Sequence, residues 1–166
     1  MPRFIPALII TAALGLLAAV PAQAVQRAYV SAVSGNDANT ATGCQANAPC
    51  RWFATAVTVV DPGGEVVAMD TGAYGGINLT QSIAITAAPG AYAGISVFSG
   101  AGIIIATAGI NVTLRGLTIN GMGGTTGVSI TNAASVSFEN CVIANFINGS
   151  SNNYAGISVI GPVPCA

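Results

Sequence analysis

Charged side chains are scarce in this 166-residue sequence, where Asp, Glu, Lys and Arg together make up only 5% of the residues. Lysine and histidine are absent altogether. Proteins that bind nucleic acids or anionic membrane surfaces use clusters of Lys and Arg, which release counterions or contact lipid headgroups. The sequence therefore predicts no nucleic-acid partner and no membrane association of the mature chain, whereas neutral partners such as sugars fit its composition.

The first residues have the pattern of a secretory signal peptide. Arg3 lies in a short positive start, an apolar run covers residues 4–20, and Ala22-Gln-Ala24 is a small-residue cleavage motif. The motif favours cleavage after Ala24 over the alternative of a retained membrane anchor. We therefore exclude residues 1–24 from the fold and expect the mature protein to be secreted or periplasmic.

An internal repeat at an offset of 24 residues is the strongest structural signal. Residues 111–120 line up with residues 135–144, and apolar positions coincide along both segments. The matched pairs are Val112 with Val136, Leu114 with Phe138, Leu117 with Cys141 and Ile119 with Ile143. Each unit is a strand pair that buries its apolar face only when copies stack, so the repeat predicts an all-β solenoid, a parallel β-helix.

Strand-like segments follow one another closely after the first third of the chain and are separated by turn residues. The first strands of successive coils are predicted to start at Ile77, Ile103, Val128 and Ile157, at intervals of 26, 25 and 29 residues. The extra length of the last interval falls in a polar loop, where solenoids accept insertions. A β-sandwich is the structural alternative, but it does not require matching side chains at a fixed offset. The predicted strands are 28–33, 65–69, 77–79, 83–86, 95–98, 103–105, 112–119, 128–130, 136–143 and 157–160.

A short amphipathic pattern precedes the coils. A helix is predicted over residues 51–60, with Phe53, Val57 and Val60 on one face and with a Pro-Gly-Gly sequence after it. Such a helix would cover strand edges at the open end of a solenoid. The predicted organisation is a signal peptide over 1–24, a leader with a disulfide turn and a capping helix over 25–64, and coils over 65–166 that are incomplete at the C-terminus.

Four cysteines in an exported chain are consistent with disulfide bonds. Cys44 and Cys50 enclose a short Gln-Ala-Asn-Ala-Pro turn, and we expect a bridge between them that fastens this turn. Cys141 occupies an apolar position of the repeat and is interpreted first as a core residue. Cys165 pairs either with Cys141 or with nothing, and the sequence does not choose between the two.

Several short motifs follow one another after the predicted cleavage site. They are Ser34-Gly-Asn-Asp-Ala-Asn39, Ala48-Pro-Cys-Arg-Trp-Phe53, Pro62-Gly-Gly64, Glu65-Val-Val67 and Gly72-Ala-Tyr74. This series resembles the opening of secreted right-handed parallel β-helix repeat proteins, in the broad pectate-lyase-like group. The resemblance covers nearly the whole mature chain and implies a right-handed coil. It implies no single activity, because members include lyases, hydrolases, epimerases and adhesins.

The chain departs from the enzymes of this group in its ionisable residues. Lyases of the group carry clustered Asp residues that hold calcium and a Lys or Arg base, and hydrolases carry grouped Asp residues; neither cluster is present here. We therefore expect an exported module with a binding or structural role, and carbohydrate is the candidate ligand. Two alternatives stay open: a polysaccharide lyase or glycoside hydrolase, or a fragment of one, and an adhesin or autotransporter-like passenger fragment. The sequence does not indicate an oligomeric state.

Arg115 and Glu139 are the weak catalytic candidates. They are 24 residues apart, so they are expected about 4.8 Å apart on neighbouring coils. A structural ion pair is the simpler interpretation. In the alternative, Arg115 is the base of a β-elimination, but an arginine paired with a carboxylate stays protonated.

Asp61, Glu65 and Asp70 flank the first coil and are weak candidates for Ca²⁺ ligands, because hard cations prefer carboxylate oxygens. Their spacing lacks the dense Asp/Asn alternation of known calcium loops. The main expectation is therefore a protein without a cofactor.

The polar loop over residues 145–154 is the candidate surface for a polysaccharide or a cell-surface glycan. Asn side chains supply donors and acceptors for hydroxyl groups, and a Tyr ring offers a flat apolar face to a sugar. An insertion of turn-forming residues without a ligand is the alternative. The candidate ligand-binding residues are Asn145, Asn148, Asn152, Asn153 and Tyr154.

Overall fold

The computed structural model describes residues 25–146 and 154–161. Their strands form three parallel sheets around one apolar core, so the chain is a parallel β-solenoid, as the repeat predicts. Sheet A has the order β1-β2-β5-β8-β11, sheet B the order β3-β6-β9-β12 and sheet C the order β4-β7-β10-β13. The predicted signal peptide, residues 1–24, lies outside the described residues, and the right-handed sense of the coil stays a prediction.

After β1, the chain passes four times through the sheets in the order A, B, C. The short strand β3 was not predicted, because two residues carry no alternating pattern. The strands are β1 Arg27–Val30, β2 Glu65–Ala68, β3 Gly72–Ala73, β4 Ile77–Leu79, β5 Ile83–Ala87, β6 Ala93–Val97, β7 Ala101–Ala106, β8 Asn111–Arg115, β9 Leu117–Gly121, β10 Thr126–Asn132, β11 Ser135–Glu139, β12 Val142–Ala144 and β13 Ala155–Val159.

The register between coils confirms three of the four predicted side-chain pairs of the repeat. In sheets A and B the stacked pairs include Val112 with Val136, Leu114 with Phe138 and Ile119 with Ile143. In sheet C one column consists of the predicted coil starts Ile77, Ile103, Val128 and Ile157. Because side chains alternate along a strand, these columns direct apolar groups towards the inside of the solenoid, and of the sheet C column only Ile157, on the last described coil, is exposed.

Two predicted strands are wrong in extent. Residues 112–119 and 136–143 do not form continuous strands, since each segment is divided between sheet A and sheet B. The chain changes sheet at Gly116 and Asn140, whose φ angles are 70° and 51°. A left-handed residue breaks the ladder, and glycine and asparagine adopt this conformation most readily. The leader strand β1 is also shorter than the predicted 28–33.

A column of glycines lines the corner where the chain enters sheet C. Its members are Gly76, Gly102, Gly127 and Gly156, each one residue before the apolar column of that sheet. A Cβ at Gly76 would lie 2.8 Å from the carbonyl oxygen of Gly102, and a Cβ at Gly127 would lie 2.4 Å from that of Gly156. Glycine is therefore required at Gly76 and Gly127, because successive coils approach backbone to backbone there.

The N-terminal helix is shorter than the predicted segment 51–60. Helix α1 spans only Phe53–Ala56, and the chain continues in turns such as the 3.1 Å hydrogen bond from Thr58 N–H to Thr55 O. The β-branched residues 57–60 disfavour further helix because their side chains crowd the preceding turn. No helix in the described part of the chain is long and apolar enough to span a membrane.

The disulfide loop covers the N-terminal edge of sheet A. Tyr29 N–H donates to Cys44 O at 2.7 Å, and Cys50 N–H donates to Tyr29 O at 2.9 Å. The predicted disulfide between Cys44 and Cys50 is confirmed, with Cα atoms 5.0 Å apart. A 3₁₀ helix, Asp37–Thr42, and α1 pack beside this loop. The edge that β1 would otherwise leave unpaired is thereby closed.

Candidate ligand-binding surface

Four stacked connections join sheet B to sheet C and form one corner of the solenoid, here called the B–C corner. They are residues 74–76, 98–100, 122–125 and 145–154. The last connection is much the longest, and residues 147–153 within it lie outside the described residues. Three predicted ligand residues fall in that range: Asn148, Asn152 and Asn153. The other two, Asn145 and Tyr154, are described.

Asn145 begins the last connection in a left-handed backbone conformation, with a φ of 64°. Its Nδ2 donates to Oδ1 of Asn120, one coil earlier, at 2.6 Å. Nδ2 of Asn120 in turn donates to Sδ of Met122 at 3.3 Å. Two side-chain amides are thus joined across adjacent coils, and each has further hydrogen-bonding groups that these contacts do not use.

Two large apolar side chains belong to the same corner. Phe98 is 71% exposed and Met122 is 54% exposed. Each directly follows a strand of sheet B, and the pairing of Val97 with Gly121 places them at equivalent positions on adjacent coils. An exposed aromatic ring in the same corner as hydrogen-bonding amides suits a ligand that has both apolar faces and hydroxyl groups.

The segments that form the B–C corner carry no charged residue of their own, but one cation lies beside the corner at the first coil. The Arg51 guanidinium donates to the carbonyl oxygen of Ala73 at 2.9 Å and lies 6.0 Å from the centre of the Tyr74 ring. The sequence has no charged residue in the strands of sheets B and C or in the connections of the corner, including residues 147–153. Charged residues line the outer face of sheet A instead, where Arg27 pairs with Glu65 and Arg115 pairs with Glu139. The later coils of the corner, which carry Phe98, Met122, Asn120 and Asn145, have no charged residue in these segments and therefore suit a neutral ligand.

Arg115 and Glu139 are stacked on adjacent coils, as the repeat predicts. Nε of Arg115 donates to Oε2 of Glu139 at 2.7 Å, and the side chains are 45% and 43% exposed. This hydrogen bond raises the pKa of Arg115 above its usual value and lowers the pKa of Glu139 below its own. Both groups are held ionised, so Arg115 is unsuited to accept a proton as a base.

Asp70 joins the leader to the first coil. Its carboxylate accepts hydrogen bonds from Oγ of Ser31 at 2.5 Å, from N–H of Ala32 at 2.7 Å and from the hydroxyl of Tyr74. Burial by itself raises the pKa of Asp70, but these hydrogen bonds outweigh it and lower the pKa below the ordinary 3.8. Burial and the bond to Asp70 raise the pKa of Tyr74 to about 12. The network holds two segments of the chain together rather than presenting a free ligand.

The three candidate Ca²⁺ ligands are not brought together. Glu65 accepts hydrogen bonds from Arg27 at 2.8 Å and from Thr86 at 2.7 Å, while Asp70 is engaged with the leader. Asp61 has a buried carboxylate oxygen, Oδ2, without a hydrogen-bond partner among the described residues. Within 25–146 and 154–161, no three His, Cys, Asp or Glu side chains converge as metal ligands. The arrangement of these acids thus gives the predicted Ca²⁺ site no support.

A concave surface lies at the N-terminal end of the solenoid, away from the B–C corner. It is an open depression of about 530 Å³ whose lining includes Val25, Thr42, Gln45 and Val59. The depression adjoins the first residue of the predicted mature chain and has no aromatic side chain in its lining. The B–C corner is therefore the better candidate for a sugar-binding surface.

Asn120, Phe98 and Met122 were missed at the sequence level, although Asn145 and Tyr154 were predicted. The signal that identifies them is the same offset of 24 residues, which maps Phe98 onto Met122 and Asn120 onto the residue before Asn145. Phe98 ends a predicted strand, and Asn120 and Met122 follow one, so none of them stands out until its equivalents on adjacent coils are aligned.

No protein-family model matches this chain, and neither a curated protein sequence nor a solved structure matches it. The assignment to a parallel β-solenoid therefore depends on the sheet order and the register. The pectate-lyase-like resemblance stays a prediction.

Proposed function

We propose that this protein is an exported binding module without catalytic activity, and that its ligand is a neutral polysaccharide or a cell-surface glycan bound at the B–C corner. The observation that carries the proposal is the Asn120–Asn145 amide pair in the same corner as the exposed Phe98 and Met122. Export is part of the proposal because the signal-like first segment and the Cys44–Cys50 disulfide both suit an oxidising compartment.

The chemistry of the corner matches that of a neutral sugar. Asn amides donate to and accept from hydroxyl groups, and their fixed partner across the coils reduces the entropy lost on binding. The Phe98 ring provides a flat apolar face, against which the C–H face of a sugar ring packs. Neither interaction needs a charge, which agrees with the absence of charged residues from these strands and connections.

The stacking of coils favours an extended ligand over a single sugar. Equivalent positions on adjacent coils are separated by roughly 4.8 Å, the spacing of paired strands. Phe98 and Met122 occupy one such pair of positions, and Asn120 and Asn145 lie on successive coils. A linear chain of sugars lying along the solenoid axis would contact several coils, so each contact would add to the affinity.

The proposal is tested on the mature protein, residues 25–166, with an array of neutral and acidic glycans. We expect binding to neutral polysaccharides, and the best array ligand is then titrated against variants. Asn145→Ala and Phe98→Ala are each expected to weaken binding roughly tenfold, since each removes one contact of about 1.4 kcal/mol.

Asn111→Ala is the matched control. Asn111 also bonds a side chain on the next coil, because Oγ of Ser135 donates to its Oδ1 at 2.8 Å, but it belongs to sheet A. Its replacement should leave glycan binding unchanged. Equal losses in Asn111→Ala and Asn145→Ala would show that binding does not use the B–C corner.

An assay for polysaccharide cleavage on the same preparation distinguishes a binding module from an enzyme. Release of unsaturated or reducing ends by the wild-type protein would contradict the non-catalytic role. No cleavage, together with binding that depends on Phe98 and Asn145, is the result that we expect.

A further inference from the structure

The carboxylate of Asp61 is incompletely paired. Its Oδ2 is buried and has no hydrogen-bond partner among the described residues. Removing an ionised carboxylate oxygen from water without a donor or a cation is strongly unfavourable. A group that supplies hydrogen bonds, and preferably positive charge, is therefore needed beside Asp61.

Asp61 is a direct backbone neighbour of Val25. The N–H of Asp61 donates to the carbonyl oxygen of Val25 at 3.0 Å, and the N–H of Glu65 donates to the carbonyl of the next residue, Gln26, at 2.9 Å. The nearest arginine along this pairing, Arg27, is held by Glu65 at 2.7 Å and is not the partner of Asp61. Arg51, the other arginine of the leader, is engaged elsewhere, because it donates to the carbonyl oxygen of Ala73 at 2.9 Å and lies over the Trp52 ring. An α-amino group at Val25 is therefore the cation that this edge of the fold can provide.

We propose that the Asp61 carboxylate is the binding site of the α-ammonium group of Val25, which forms when the chain is cut after Ala24. The proposal depends on the predicted cleavage site and not on glycan binding. Hydrolysis adds one water across the Ala24–Val25 amide, leaving a carboxylate on Ala24 and an amine on Val25. An α-amino group has an ordinary pKa of about 8, so it takes up a proton and is cationic at neutral pH.

The packing of Val25 holds its backbone in place for this contact. A Cβ added to Gly43 would lie only 3.0 Å from Cγ2 of Val25, so the Val25 side chain lies against the end of the 3₁₀ helix. Val25 also lines the N-terminal depression beside Val59. Pairing of the new N-terminus with Asp61 would therefore fasten the leader to the turn that precedes the first coil, and the positive charge of this contact would exist only after processing.

The test is a four-way comparison of urea unfolding. Chain 25–166 with a free Val25 amine is compared with the same chain acetylated at Val25, each with Asp61 and with Asp61→Asn. Acetylation removes the charge but keeps an N–H donor. We expect acetylation to lower the ratio of folded to unfolded protein roughly five- to thirtyfold in the chain with Asp61, and to have little effect in the Asp61→Asn variant.

Glu139→Gln serves as the control for a general electrostatic effect, because it removes an exposed acid of the distant fourth coil. Acetylation should destabilise this variant as much as the wild type. The proposal is overturned if acetylation has the same effect with and without Asp61, or if mass spectrometry of the exported protein finds an N-terminus other than Val25.

A second measurement covers the case in which Asp61→Asn does not fold. The pKa of the Val25 α-amino group is measured by NMR in the folded wild-type chain. A neighbouring carboxylate should raise it by about one unit or more above its ordinary value of about 8. An unshifted pKa would contradict the ion pair whatever the stability of the variant.

Discussion

Arg115 on the third coil and Glu139 on the fourth are joined by a 2.7 Å hydrogen bond across the outer face of sheet A. Both side chains are partly exposed, and exposed ion pairs contribute little to stability because water and salt screen them. We expect Arg115→Gln and Glu139→Gln to fold normally, with only a small change in the thermal midpoint, and to bind glycan like the wild type. Loss of binding in either variant would place the ligand on sheet A instead of the B–C corner.

Leu114 and Thr113 are adjacent in β8 but face opposite sides of sheet A. Leu114 is fully buried between coils, whereas Thr113 is on the outer face. Leu114→Asp should abolish folding because it buries an unpaired charge, and Leu114→Ala should cost about 2–5 kcal/mol. Thr113→Asp, the matched control, should keep the circular dichroism spectrum of the wild type. A folded Leu114→Asp variant would show that the register is wrong.

Substitutions at Gly127 and Gly156 test whether adjacent coils are in close backbone contact at the glycine column. A Cβ at Gly127 would lie 2.4 Å from the carbonyl oxygen of Gly156, whereas the nearest atom to a Cβ at Gly156 is Cγ2 of Ile143 at 3.3 Å. Gly127→Ala is therefore expected to destabilise the protein by about 1–3 kcal/mol, and Gly156→Ala by clearly less. Urea unfolding of the two variants measures the difference. Equal effects would mean that the coils are not in close backbone contact at this corner.

Asp70 is expected to make the free energy of unfolding fall as the pH is lowered into the acid range. Its pKa in the folded protein lies below the ordinary 3.8, so its contribution is present above that value and is lost as the pH falls through the folded-state pKa. Asp70→Asn should be less stable at neutral pH and should lose less stability on acidification, as measured by urea midpoints between about pH 6 and pH 2. Tyr74→Phe removes one donor to the carboxylate, and its acid dependence should lie between the two. A wild-type acid dependence in Asp70→Asn would assign the effect to another acid.

The Cys44–Cys50 bridge closes a short loop, and short loops restrict the unfolded chain less than long ones. Replacing both cysteines with alanine should cost about 2 kcal/mol, a value that follows from the entropy of loop closure. Dithiothreitol should destabilise the wild type by the same amount and leave the double variant unaffected. Peptide mapping of the unreduced protein should recover both cysteines in one linked fragment; free thiols at both positions would contradict the bridge.

The solenoid was predictable because apolar residues that stack on adjacent coils recur at a nearly fixed offset in the sequence. The column through Ile77, Ile103, Val128 and Ile157 was identified from spacing alone and is present in sheet C. The bends at Gly116 and Asn140 were not, because the alternation of apolar residues continues on both sides of a left-handed residue. An alternating pattern shows which side chains face inward, but it does not show where the chain leaves one sheet for the next.

The candidate site was only partly predictable for a related reason. Asn145 was identified because it belongs to a long polar loop, which is a local feature of the sequence. Phe98 and Met122 were not, because a strand-end apolar residue is ordinarily part of the core. Both side chains are exposed because they lie in the connections between sheet B and sheet C and not within a strand.

One pentapeptide shows what the local sequence determines and what only the tertiary structure decides. Ala-Gly-Ile-Ser-Val occurs at residues 93–97 and again at 155–159, and both copies form strands, as local alternation requires. The first copy lies in sheet B and the second in sheet C. Ile95 is 1% exposed and Ile157 is 44% exposed.

The sequence by itself determined the repeat, the strands and the scarcity of charge. Only the tertiary structure decided which sheet each strand joins and how deeply it is buried, because both depend on the coils stacked on either side.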